Sequence, residues 1–188
     1  MKIISFVFAA LCPLLAAAAP EALVVNPAQS RVEIDVKATV DSFTGKLSAY
    51  DAAITVDAGR VSAAKLAFHF ADLKTGKDGR DEAMLGWLET KKTPDGLFVL
   101  GSLDAAAGGR SVARGVLTLH GVAREISFPV SVTKDQALYA IDGEASLDTR
   151  DFGLPVIRKF GLLKVDPVVK VRFHLQGAID ASKTPAAP

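Results

Sequence analysis

Along most of the chain, apolar and polar residues alternate with a period of two. The run Arg31-Val32-Glu33-Ile34-Asp35-Val36-Lys37 is strict in this respect. Such alternation describes a half-buried antiparallel strand, with Val32, Ile34 and Val36 on the inner face and the charged residues in water. Val169-Lys170-Val171-Arg172-Phe173-His174-Leu175 repeats it. Leu66, Phe68 and Phe70 alternate with Lys65, Ala67 and His69, and Ile126, Phe128, Val130 and Val132 with mostly small or polar residues. Extended over the chain, the pattern predicts strands at 31–38, 43–56, 61–71, 97–103, 111–119, 124–133, 137–147 and 168–178. Asp57-Ala58-Gly59, Ala107-Gly108-Gly109, His120-Gly121 and Lys134-Asp135 supply turn chemistry between them. Pro129 cannot donate to a ladder, which predicts an edge position or a bulge there.

One segment breaks the period. In residues 78–89 the apolar Met84, Trp87 and Leu88 stand at i, i+3 and i+4, the spacing of a short amphipathic helix. Asp78 is placed to cap it, Asp81 and Glu82 suit its first turn, and Pro94 follows its end. Eight antiparallel strands and one short helix predict an all-β fold, an eight-stranded antiparallel barrel. A barrel of that size is either filled by side chains or holds one small ligand, and alternation alone leaves both open.

The chain has 188 residues, a length for one domain with its own core. Met1-Lys2, the apolar run from Ile3 to Leu15 and the alanines at 16–19 follow the plan of a secretory signal peptide. The run is shorter than the roughly 20 apolar residues of a membrane span. Cleavage is expected after Ala18, giving a signal peptide at 1–18, a barrel domain at 19–180 and a loose tail at 181–188. The expected location is periplasmic or secreted. Cys12, the only cysteine, falls inside the signal, and Leu11 before it argues against lipidation.

Lys and Arg number 22 against 21 Asp and Glu, so no global charge draws the chain to nucleic acid. Three His and one Cys leave little material for a metal cluster, and no metal site is expected. There is no nucleophile elbow, no catalytic Cys and no zinc-protease motif, so no catalytic residue is assigned. Asp151-Phe152-Gly153 lacks every other kinase element. Gly76 and Gly79 with Lys74, Lys77 and Arg80 read as a basic turn before the helix, since the spacing fits no phosphate loop. Arg150, Arg158, Lys159 and Lys164 form a second basic cluster, diluted by Asp148, Asp151 and Asp166, where an anionic head group could touch.

Five motifs in order carry a family resemblance. Leu117-Thr118-Leu119-His120-Gly121-Val122-Ala123-Arg124-Glu125-Ile126 and Ser146-Leu147-Asp148-Thr149-Arg150-Asp151-Phe152-Gly153 resemble two signatures of the YceI-like lipid- and polyisoprenoid-binding proteins. Asn26 to Val32, Leu73-Lys74-Thr75-Gly76 with Arg80-Asp81 and Leu88, and Val165 to Val171 are similar to that family's opening, helix-entry and closing segments. The resemblance runs from about Asn26 to Ala178. Histidines often found in the family stand here as Gln29, Ala38 and the Ala83-Met84 pair.

The resemblance implies a lipocalin-like barrel with an apolar tunnel for a long isoprenoid chain. The expected lipid-binding residues are Val36, Phe43, Leu66, Phe68, Phe70, Met84, Trp87, Leu88, Phe98, Phe128, Phe152 and Phe173. Val32, Ile34, Leu47, Leu100, Leu117, Val130, Val171 and Leu175 are further candidates for the wall. No cofactor is expected beyond a bound isoprenoid or isoprenoid quinone. Transient membrane contact and a homodimer paired through a strand edge near Pro129 are further expectations. The competing readings are a non-catalytic structural or stress-response module with a filled barrel, and an enzyme acting on quinones or lipids.

Overall fold

The computed structural model describes residues 19–39, 41–159, 163–180 and 182. The signal peptide expected at 1–18 lies outside the described residues, as does all of the expected tail at 181–188 except Ser182.

The strands are β1 (Glu21–Val25), β2 (Arg31–Val36), β3 (Phe43–Leu47), β4 (Asp51–Asp57), β5 (Arg60–His69), β6 (Leu73–Lys74), β7 (Asp95–Ala105), β8 (Ser111–Leu119), β9 (Val122–Asp135), β10 (Leu138–Asp148), β11 (Arg158–Lys159), β12 (Leu163–Lys164) and β13 (Val168–Asp180). Helix α1 (Asp78–Trp87) lies between β6 and β7. Every pairing is antiparallel, and β1-β4-β5-β7-β8-β9-β10-β13 closes on itself through β13 and β1. That ring has eight strands, the barrel the alternation predicts. Beyond one rim, β2, β3 and β6 continue the sheet: β2 follows β1 along β13, and β3 pairs with β2 and β6.

Several boundaries differ from the sequence reading. The expected strand 43–56 is two strands, interrupted at Ser48, whose N–H donates to the Asp72 carbonyl at 2.9 Å. The break lets one stretch of chain serve the barrel through β4 and its extension through β3. β1 was not expected, because its apolar residues run consecutively: Leu23 is buried and Val24 exposed. Phe70 falls in a 3₁₀ turn (Phe70–Asp72) after β5 rather than within a strand. Asp78 is not the helix cap; Lys77 holds that position without a side-chain bond, and Asp78 is the first helical residue. The β9–β10 turn sits beyond Lys134-Asp135, at Gln136, whose φ is +52°.

His120 and Gly121 join β8 to β9 with φ of +50° and +73°. Two successive positive φ values are those of a type I′ hairpin turn, which matches the strand twist and favours glycine. Pro129 pairs with Val112 of β8, while the β9–β10 ladder stops next door at Val130–Gly143. β9 is thus not an outer strand, but at Pro129 its side toward β10 is unpaired, so the missing N–H leaves no gap in a ladder.

Inside the barrel, three phenylalanine rings lie over glycines of neighbouring strands. Phe68 faces Gly96 and Phe173 faces Gly143 in direct register, and Phe98 reaches Gly115. A Cβ on Gly96 would come within 2.2 Å of the Phe68 ring, and on Gly143 within 2.4 Å of Phe173. Ring-over-glycine pairs let a strongly curved sheet keep large apolar side chains inside a small circumference. The end bearing the β4–β5 and β9–β10 turns is solid, packed by Leu23, Val56 and Tyr139. The Tyr139 hydroxyl donates to the Gly59 carbonyl at 3.3 Å, which satisfies the one polar atom of that plug.

Candidate functional site: an apolar cavity with one polar corner

Toward α1 the interior is hollow. A cavity of about 710 Å³ is lined by residues from β2, β3, β4, β5, β7, β8, β9, β10 and β13. The barrel is therefore part solid and part hollow. Pockets of this size hold one small-molecule ligand and bury most of its surface.

All but one of the residues expected to contact lipid line this cavity: Val36 and Phe43 from the extension, Leu66, Phe68, Phe70, Phe98, Phe128 and Phe173 from the barrel, and Met84, Trp87 and Leu88 from α1 and its end. The further wall candidates, Val32, Ile34, Leu47, Leu100, Leu117, Val130, Val171 and Leu175, line it too. Phe152 does not. It is 2% exposed in the 3₁₀ turn Thr149–Phe152 and packs into the barrel's main apolar cluster. That turn follows β10, so the period-two logic that aims the other rings inward does not reach it.

Helix α1 covers the cavity with the face the sequence predicts. Met84 and Trp87 pack with Phe70, Leu88 and Leu154 in a second apolar cluster. The Trp87 indole N–H donates to the Pro155 carbonyl at 2.9 Å, tying the helix to the segment after β10. Pro155, Val156, Ile157 and Val165 complete the wall there. These residues come from irregular segments and carry no periodic signal.

The lining holds few polar side chains, and the best defined is Arg80. Its side chain is only 22% exposed, its Nη2 donates to Asp41 Oδ2 at 2.9 Å, and its guanidinium stacks 4.1 Å from the Phe43 ring centre. Lys77 Nζ stands 3.6 Å from the same carboxylate. Because Asp41 is 60% exposed and still lines the cavity, the cavity meets solvent at this corner. The backbone here is fixed by Asp81, which accepts from the Thr75 amide at 2.8 Å and the Thr75 hydroxyl at 2.5 Å. The Thr75 hydroxyl and then its amide hold the Asp81 carboxyl below its ordinary value. The basic turn of the sequence reading is thus a positioning device for one cavity-facing guanidinium.

The histidines are dispersed. His69 pairs with Asp95, His174 Nδ1 lies 2.7 Å from Asp142, and His120 Nδ1 lies 3.2 Å from the Phe152 carbonyl. Among the described residues no group of His, Cys, Asp and Glu is arranged to hold a metal ion. Ala38, Ala83 and Met84, at or near positions where the resembled family often has histidine, line the cavity, while Gln29 bonds to Gln176 outside it.

Comparisons agree with this geometry. The structure is similar to that of BcnA from Burkholderia cenocepacia, with 22% identity over 82% of this chain and 100% of that one and a TM-score of 0.73. A polyisoprenoid-binding domain from Saccharophagus degradans gives 18% identity, 85% and 98% coverage and a TM-score of 0.66. The Campylobacter jejuni YceI protein gives 17% identity, 75% and 86% coverage and a TM-score of 0.64. At these identities the likeness establishes a shared fold. No curated protein matches the chain. The model of the YceI-like domain matches residues 23–177, nearly all of the barrel and its extension, and the chain belongs to that family.

Proposed function

We propose that this is an exported, non-catalytic binding protein that takes a long apolar chain, an isoprenoid or isoprenoid quinone, into the barrel cavity and carries or sequesters it. The observation that carries this reading is the cavity of about 710 Å³, walled almost wholly by apolar side chains. Each CH₂ moved from water into such a site contributes about 0.8 kcal/mol, so a long chain binds tightly with few polar contacts. A structural neighbour described as a polyisoprenoid-binding domain supports the choice of ligand class. A filled-barrel structural module would not contain a cavity of this size.

Export follows from the positive start, apolar run and alanines of residues 1–19. Protein collected outside the cytoplasm is expected to begin at Ala19, and recovery only of membrane-bound chains beginning at Met1 would remove this part of the proposal. Transient membrane contact is the route by which an insoluble chain enters and leaves. Mass spectrometry of an organic extract of the purified protein tests the ligand class. An isoprenoid-chain compound is expected; an empty extract, with no uptake of added isoprenoid, would overturn the reading.

A further inference from the structure

Arg80, fixed at the solvent-facing corner of the cavity, has unused capacity. Arg80 spends Nη2 on Asp41. Among the described residues nothing accepts from its Nε or Nη1. An arginine presents five donors in a rigid fork, so the remaining N–H groups stay available where the guanidinium carbon sits over the Phe43 ring. The charge itself is answered. Asp41 lies against Arg80 and Lys77, and Asp81 lies near Arg80 and Lys74. The corner therefore offers directed donors whose cation already has a carboxylate against it. That combination suits an uncharged oxygen acceptor. A doubly charged head would bring its own anion next to Asp41 and gain little from a guanidinium already paired.

We propose that Arg80 is the head-group anchor of the cavity, binding an uncharged, hydrogen-bond-accepting head such as a ketone, while Asp41 biases the site against phosphate heads. The inference rests on the reading that the cavity takes an apolar chain. It adds which end of the ligand lies toward solvent, at α1, and which heads are selected.

Three probes with related chains separate the possibilities: farnesene, a hydrocarbon; farnesylacetone, a ketone; and farnesyl monophosphate. Trp87 is the only tryptophan and lines the cavity, so its emission reports occupancy directly. Replacing Arg80 by Met keeps the stem over Phe43 and removes the donors. Arg80→Met is expected to weaken farnesylacetone at least about tenfold, the scale of a hydrogen bond to a charged group, and to leave farnesene within twofold. Asp41→Asn, which keeps an acceptor for Arg80 and removes the charge, is expected to raise farnesyl monophosphate affinity about tenfold with the ketone little changed. Arg80→Lys serves if the Met variant fails to fold, and it too should lose ketone affinity, because the fork is gone. Equal losses for ketone and hydrocarbon, or no loss for either, would overturn the anchor while leaving the chain-binding reading intact. Wild-type preference for the phosphate, unaltered in Asp41→Asn, would overturn the selection. Failure of all three probes to bind the wild type would instead refute the chain-binding reading on which the proposal stands.

Discussion

Gly96→Ala tests the ring-over-glycine packing in the cavity wall. A methyl group there would lie 2.2 Å from Phe68 Cζ and 2.6 and 2.7 Å from its two Cε atoms. Carbon contacts settle near 3.5–4.0 Å, so the ring edge must retreat by more than about 1 Å. The Gly96 backbone is held in the ladder to β5, so the ring moves rather than the strand. Its free direction is the cavity it lines. Retreat also breaks the edge-on contact of Phe68 with Phe70, whose ring centres are 5.6 Å apart at 89°. Overpacking costs about 1–3 kcal/mol and loss of an aromatic pair about 0.5–1.5. The adjacent space puts the first figure at its low end, and loss of glycine's freedom in the unfolded chain returns about 0.4–1. The expected net destabilisation is about 1–2 kcal/mol, a fall in Tm of roughly 2–8 °C for a chain of this size. Uptake of an isoprenoid probe should fall at least about tenfold, since the ring now occupies ligand space. Phe68→Leu in the same chain should restore both by removing the clash, which denaturation and Trp87 titration would read in one double-mutant cycle. An unchanged Gly96→Ala protein, or a double variant no better than the single, would refute the reasoning.

Leu66→Trp enlarges a wall residue into the same cavity. It should block uptake while stability stays within about 1 kcal/mol, because a hollow site spares the usual 1–3 kcal/mol of overpacking; marked destabilisation with unaltered uptake would contradict it. Asp81→Asn tests the turn that places Arg80. Its carboxyl is held below 3.8 by the Thr75 hydroxyl and amide, so its contribution is complete above that value and is lost as pH falls through the lower folded value. Denaturation curves should show a constant gap between wild type and Asp81→Asn from pH 5 to 8, closing below about pH 4; a gap that widens in acid would contradict the sign. Chelator and reductant should leave the Tm of the mature protein unchanged, since Cys12 lies in the expected signal and the three His have separate partners; a large drop with chelator would reveal a metal site.

The barrel was legible because its strands are buried on one face only, and a period of two is then imposed at every turn of the meander. The same rule located most of the cavity wall, from Val36 to Phe173, because inward is one direction whether the inside is solid or empty. It could not separate those cases. Tyr139 and Ile141 alternate as regularly as Leu66 and Phe68, yet Tyr139 plugs one end while Leu66 and Phe68 surround space. The glycines that make room for the phenylalanine rings lie across strands from them, a pairing that no single window of sequence contains. β1 stayed hidden because Leu23, Val24 and Val25 blur its alternation. The wall from Pro155 to Ile157 and at Val165 comes from irregular segments. Phe152 packs into the core without lining the cavity, because it lies past the end of its strand where the period-two rule no longer applies. Arg80 reads as one of several surface cations until the fold sets it over Phe43.

Native mass spectrometry of the mature protein, purified without detergent from the compartment where it accumulates, tests the central claim most directly. The account predicts a population carrying one chain-like adduct per barrel, released on collisional activation with an isoprenoid fragmentation pattern and excluded in Leu66→Trp. A protein at its bare sequence mass that stays bare after incubation with isoprenoid vesicles would contradict it.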